Sequence, residues 1–203
     1  SLWLMARGEI QVAKIINPAK VTDFESPEKL RLYLIDVIRQ FRNEQNKGKV
    51  IPFEESALLD EHNVVTLVPG SLGGKGRGLA FINTLIYNYD FNQHIPDINI
   101  KSPLTSVIGT DEFEYFVERN RIREKITDIE NYSEIRKIFT SGALTDTLIR
   151  RLRILLKLID KPLAVRSSGL FEDSLSQPFA GIFETYLLPN NHPDINVRLT
   201  QLM

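Results

Sequence analysis

With 203 residues, 42% of them hydrophobic and 25% charged, the chain has the makeup of one ordinary globular domain, or of one domain with an appendage. A formal net charge of −1 removes any bulk electrostatic reason to bind nucleic acid or an anionic membrane. The absence of cysteine excludes disulfides, thiol catalysis and Cys-ligated metal and fits a reducing, cytoplasmic setting, and no apolar run approaches the ~18 residues that argue for a membrane span.

In chain order, residues 2–16 read as a helix with Trp3, Ile10, Ala13 and Ile16 as core positions, closed by Asn17-Pro18. Ser26-Pro27-Glu28 is a helix start, with Ser at the N-cap, Pro at the first helical position and an acid in the first turn. Leu30, Tyr33, Leu34, Val37, Ile38 and Phe41 then form one apolar stripe, and Gly48 stands where a C-cap glycine belongs. The stripe must be covered, by the rest of the chain, by a second copy in a homo-oligomer or by a preceding domain; the first two are preferred. Residues 1–62 carry no catalytic constellation and read as a helical connector. The lack of an initiator Met, and a helix-like stretch over 195–203 that runs to the last residue, suggest a piece of a longer protein.

Val64-Val65-Thr66-Leu67-Val68 reads as a short strand, and residues 79–86 as a helix. Between them, five of the ten residues 69–78 are glycine, in a chain that has only 11. A strand, a glycine-rich turn carrying a lysine and a helix together present backbone N–H groups to a phosphate: glycine permits close approach, the helix terminus adds donors, and Lys75 adds a point charge. The bland alternative is a tight turn opening a buried helix. Neither the P-loop nor the dinucleotide glycine spacing fits: Gly70 and Gly74 are separated by three residues, not four, Gly76 follows the lysine where a hydroxyl residue would stand, and position 79 is leucine.

Residues 104–108 read as a strand, and Thr110 as the cap of a helix reaching about Arg119. A helix is expected over 130–139. Thr145-Asp146 opens a stronger one to Ile159, buried along Leu148, Ile149, Leu152, Leu155, Leu156 and Ile159, with Arg150, Arg151, Arg153 and Lys157 on a solvated face. Residues 162–166 read as a buried strand ending in Arg166, broken by Ser167-Ser168-Gly169. A second strand is expected over 179–188. An arginine at a strand end beside two hydroxyls suits bidentate phosphate binding. The alternative is an ion pair with Glu172, Asp173 or Glu184.

Leu163-Ala164-Val165-Arg166-Ser167-Ser168 with Glu172-Asp173, then Phe179-Ala180-Gly181 and Glu184-Thr185, resembles the signature of the phosphoenolpyruvate synthase and pyruvate phosphate dikinase family. Gly73-Gly74-Lys75-Gly76 with Leu79 matches the family's opening glycine motif, and residues 104–110 with Phe113 and Phe116 match its next strand and turn. The three motifs fall in order over about residues 64–190, leaving 1–62 outside. Ile182 departs from the Gln or Glu that often follows F-A-G.

The resemblance implies an α+β fold, the first lobe of an ATP-grasp-type nucleotide-binding domain over 63–203 after a helical segment over 1–62. It implies ATP as ligand, with Lys75, Arg166, Gly73, Gly74, Gly76, Ser167 and Ser168 at the nucleotide and Arg166 also catalytic. Mg2+ would be held by acidic residues of a second lobe beyond Met203. In the family, this domain phosphorylates a histidine on a swivelling domain, and a third domain passes the phosphoryl group to pyruvate to give phosphoenolpyruvate. His62, His94 and His192 do not match the family's T-S-H-A context. A regulatory or scaffolding module of the same fold, without turnover, is the alternative.

Overall fold

The computed structural model describes residues 2–89, 91–170, 172 and 183–203, and the chain divides into two units, Ser1–Lys47 and Gly48–Met203. The first unit is helical: α1 (Leu2–Ala6), α2 (Ile10–Ile16) and α3 (Pro27–Asn46). One helix over 2–16 is therefore corrected to two, broken at Gly8 with its φ of +82°. Ala13 and Val12 are buried here, whereas Trp3 and Ile10 are 65% and 51% exposed and are not core residues. The start of α3 is as expected: the Ser26 side chain accepts a hydrogen bond from the Lys29 N–H at 3.2 Å, and Pro27 is the first helical residue. Along its apolar stripe Val37 is buried and the other five positions are half-buried; the Tyr33 ring lies 5.1 Å from that of Phe24.

The second unit is built on a three-stranded parallel sheet in the order β1 (Val50–Pro52), β2 (Val64–Val68), β3 (Thr105–Ile108). Val64 faces Val50 on one side and Thr105 on the other. The sequence reading does not contain β1. Its Pro52 has no N–H to give to a ladder, which confines it to an edge strand. The central strand β2 is buried on both faces, as parallel strands are, with Val64, Val65 and Leu67 at 1–2% exposure.

α4 (Gly73–Asn88) connects β2 to β3. Its far end is fixed by Asn83, which is buried: the amide donates to the His62 carbonyl at 2.9 Å and its oxygen accepts the Ser102 hydroxyl. Thr84 donates to the Gly48 carbonyl at 2.6 Å. α4 thus runs back along the sheet from the carboxyl end of β2 toward the residues that precede β2 and β3.

α5 (Thr110–Arg119), α6 (Ile122–Ile126), α7 (Tyr132–Thr140) and α8 (Asp146–Leu158) follow β3. Thr145 caps α8 as expected, accepting from the Leu148 N–H at 3.1 Å. The Leu148, Leu152, Leu155 and Leu156 stripe closes a core with Val65 and Leu67 of β2 and Leu199 of α9 (Ile195–Leu202). Arg151 corrects the solvated-face reading: its guanidinium donates to the Leu67 carbonyl and lies 4.8 Å from the centre of the Phe53 ring.

The last sheet is an antiparallel pair, β4 (Leu163–Arg166) and β5 (Thr185–Leu188), with Arg166 opposite Thr185. β4 is largely exposed, so the expectation of a buried strand is corrected: apolar composition marked the strand, but among the described residues only β5 pairs with it. The expected strand over 179–188 is found for Thr185–Leu188; positions 179–182 lie outside the described residues. Asn190, in the left-handed region at φ +54°, anchors the foot of this ribbon by donating to the carbonyls of Ile159 and Lys161 at 2.8 and 3.0 Å. The chain is thus of mixed α+β class. Among the described residues no helix is long and apolar enough to cross a membrane.

Glu112 ties α5 to α8. It is 4% exposed, and its two carboxylate oxygens accept from the Thr145 N–H at 2.8 Å and hydroxyl at 2.6 Å. Glu112→Ala is expected to cost roughly 1.5–3 kcal/mol for each charge-assisted bond removed. Thr145→Val removes the hydroxyl half of the same pair, so the double variant should be less destabilised than the sum of the singles. Urea unfolding of the three variants measures this; additive losses would show that the two side chains act independently.

Candidate functional site

The glycine-rich segment is not the loop that its composition suggests. α4 begins at Gly73, so Gly73, Gly74, Gly76 and Gly78 lie in its first two turns, and only Gly70 precedes it. Leu72 stands at the N-cap and offers no side-chain oxygen to the first amides. Ser168 supplies what Leu72 lacks, from 92 residues away: its carbonyl accepts from the Gly74 N–H at 2.9 Å, and its Oγ accepts from the Gly76 N–H at 2.8 Å. The same hydroxyl donates to the Leu72 carbonyl at 2.5 Å. Leu72 C=O and Gly76 N–H are the first i→i−4 pair of the helix, and the serine hydroxyl bridges them.

This seat exists because the helix has no side chains there. A Cβ on Gly73, whose φ is +70°, would lie 1.7 Å from the Ser168 carbonyl oxygen. One on Gly76 would lie 3.0 Å from Leu72 Cβ and 3.3 Å from Ser168 Oγ, whereas one on Gly78 would meet nothing within 4 Å.

The turn before the helix is held from the other parallel strand. Gly109, just past β3, donates to the Val68 carbonyl at 3.0 Å, and Thr110 donates its N–H to the Ser71 carbonyl at 3.2 Å. The Thr110 hydroxyl accepts from the Ser71 N–H at 2.9 Å. Thr110 is therefore the first residue of α5 and not its cap, which is Gly109; its side chain fixes the glycine segment instead. The loops after β2 and β3 meet at the carboxyl ends of the parallel strands, the usual place for a ligand in such a sheet.

Lys75, in the first turn of α4, is three-quarters buried and its Nζ lies 2.7 Å from Oε2 of Glu172, itself 15% exposed. Arg77 is exposed and folds back onto the Gly73 carbonyl at 3.2 Å. Arg166 ends β4 two residues before Ser168, with an exposed side chain. Of its three expected acidic partners, Glu172 is on Lys75, Asp173 lies outside the described residues, and Glu184 accepts the Tyr186 hydroxyl at 2.7 Å. That hydrogen bond to a carboxylate, with its negative charge, raises the Tyr186 pKa above the ordinary phenol value. Ser167 closes its own turn, its hydroxyl accepting from the Gly169 N–H at 3.1 Å.

The residues that the sequence singled out are thus brought to one place along the chain: Ser168 directly onto Gly74 and Gly76, Gly73 beneath it, Lys75 in the same turn, and Ser167 and Arg166 leading into it. Sequence reasoning missed the Ser71–Thr110 clasp; the only available signal was a second hydroxyl-bearing turn after a second apolar strand. Among the described residues no group of three or more Asp, Glu or His side chains is gathered to hold a metal.

A family model described as pyruvate phosphate dikinase, AMP/ATP-binding domain, matches residues 70–200, more than half of the chain. Comparisons with curated proteins and with solved structures give no match.

Two glycine substitutions in this helix should have opposite signs. Gly78→Ala enters open space in a helix interior and should stabilise by ~0.5–1 kcal/mol. Gly73→Ala should lower the melting temperature by several degrees, because it must displace Ser168 or abandon its positive φ. Thermal unfolding of both variants checks this, and a Gly73→Ala protein as stable as the parent would mean that Ser168 is not seated as described.

Proposed function

The chain belongs to the family of the pyruvate phosphate dikinase AMP/ATP-binding domain, and from that premise we propose that residues 63–203, joined by the edge strand β1, form the first lobe of an ATP-grasp-type domain in a phosphoenolpyruvate synthase-like dikinase, with the helices that precede β1 as its connector. The observation that carries this reading is the Lys75–Glu172 pair: an anion already lies against the lysine of the glycine-rich helix terminus. A carboxylate oxygen placed against an ammonium is the nearest protein equivalent of a phosphate oxygen in that position.

On this reading Lys75 and Arg166 bind the ATP phosphates, framed by Gly73, Gly74, Gly76, Ser167 and Ser168. Lys75 contributes a compact charge that can follow a moving oxygen, and Arg166 a planar fork that fixes two oxygens at once. Arg166 is the catalytic member, offsetting charge as it grows on the transferring phosphoryl group. The acceptor is a histidine of a separate domain; a further domain uses the phosphoryl group so that ATP, pyruvate and water become AMP, phosphoenolpyruvate and phosphate. The described acidic residues do not gather into a magnesium site. The lack of cysteine suits work in the cytoplasm.

Lys75→Ala and Arg166→Ala should each slow phosphorylation of the acceptor histidine by the order of 10²–10³, the loss typical of one donor to a developing oxyanion. Arg166→Lys should fail as well, because a point charge does not replace the fork. The check is transfer of label from γ- or β-labelled ATP to the acceptor domain in the complete enzyme; parental rates in all three variants would refute the assignment. The 203-residue chain alone, lacking a histidine in the family context, should make no phosphoenolpyruvate from ATP and pyruvate.

A further inference from the structure

The Ser168 hydroxyl has one proton and two lone pairs, and a phosphate under neutral conditions chiefly accepts hydrogen bonds. The proton of Ser168 Oγ is committed to the Leu72 carbonyl, and the Gly74 and Gly76 N–H groups are committed to Ser168. A phosphate could take these groups only by dismantling the first turn of α4. Beside that turn stand the two cations of the motif: Lys75 pairs with Glu172, and Arg166 ends β4 with an exposed side chain.

We infer that Ser168 is a positioning residue, not a phosphate ligand: it couples Arg166 to Lys75 by locking the end of β4 onto the first turn of α4. The inference rests on the nucleotide reading above. Three hydrogen bonds to Ser168 and a Cβ-free seat at Gly73 and Gly76 fix residue 168 against the turn that carries Lys75. Arg166 is two residues away in an extended strand whose foot is held by Asn190, so the position of 168 determines where the guanidinium starts from. The glycines then serve to admit a serine, not a phosphate. Without that lock the two cations must be brought together at each binding event, and the nucleotide bears the ordering cost.

The test is calorimetric titration of magnesium-ATP into the whole chain and its variants, read with amide hydrogen exchange at Gly76. Ser168→Ala should bind about tenfold more weakly, the scale of one lost anchoring contact, and exchange faster at Gly76. Ser168→Thr, which keeps the hydroxyl, should restore most of the affinity. A role through Arg166 requires that Ser168→Ala cost little further affinity in an Arg166→Ala background. If Ser168→Ala does not fold, Ser168→Cys, which keeps the size but only a weak donor, takes its place in the same cycle. Equal factors in both backgrounds would overturn the coupling. Faster Gly76 exchange with unchanged affinity would overturn the positioning role and leave the nucleotide reading standing. Absence of ATP binding by both the unmodified chain and the complete enzyme, with slow Gly76 exchange, would overturn the nucleotide reading and this inference with it.

Discussion

A serine hydroxyl bridging the first turn of a helix is the contact on which the site depends. The N-cap position of α4 holds Leu72, which cannot cap, and the next residues are glycines, which lose more entropy on ordering than any other residue. A helix that begins this way is weak in isolation. Ser168 compensates from across the sequence, at ~0.5–1.5 kcal/mol net for each of its three hydrogen bonds. The same contact fixes the course of the chain after β4, so the start of one element and the end of another are settled together.

The surrounding contacts keep that junction from slipping. Ser71 and Thr110 exchange two hydrogen bonds between the loops that follow β2 and β3, and both strands belong to the parallel sheet. Glu112, two residues further, ties the start of α5 to the cap of α8, whose apolar stripe packs on β2. Asn190 holds the other end of the β4–β5 ribbon to the carboxyl end of α8. The basic side chains of the proposed phosphate site therefore stand on regular elements, Lys75 on a helix and Arg166 at the end of a strand.

Periodic elements were legible in the sequence and special backbone was not. The stripes of α3 and α8, the Ser26-Pro27 start and the Thr145 cap could be read because each rests on local rules of spacing and hydrogen bonding. The five glycines read as a loop because glycine is a poor helix former; packing of Ser168 against Gly73 and Gly76 overrode that propensity, and nothing local in the sequence records it. β1 escaped because three residues ending in proline carry no alternation. Arg151 read as solvated because its neighbours on the helix are charged, yet its partners are a strand carbonyl and a ring more than eighty residues earlier. The candidate site was read from its motif order. Its internal wiring, with Glu172 on Lys75 and Ser168 on the helix, was not, since a motif names residues without saying which of them touch.

The most direct measurement is a nuclear magnetic resonance titration of the isotope-labelled chain with ATP, following every backbone amide and the Lys75 ammonium. The account predicts saturable shifts concentrated in residues 71–78 and 163–172, with the Lys75 signal moving as Glu172 gives way to phosphate, while the Gly74 and Gly76 amides keep their slow exchange because Ser168 stays seated. Saturable shifts confined to other parts of the chain, or Gly74 and Gly76 amides released as ATP binds, would contradict it.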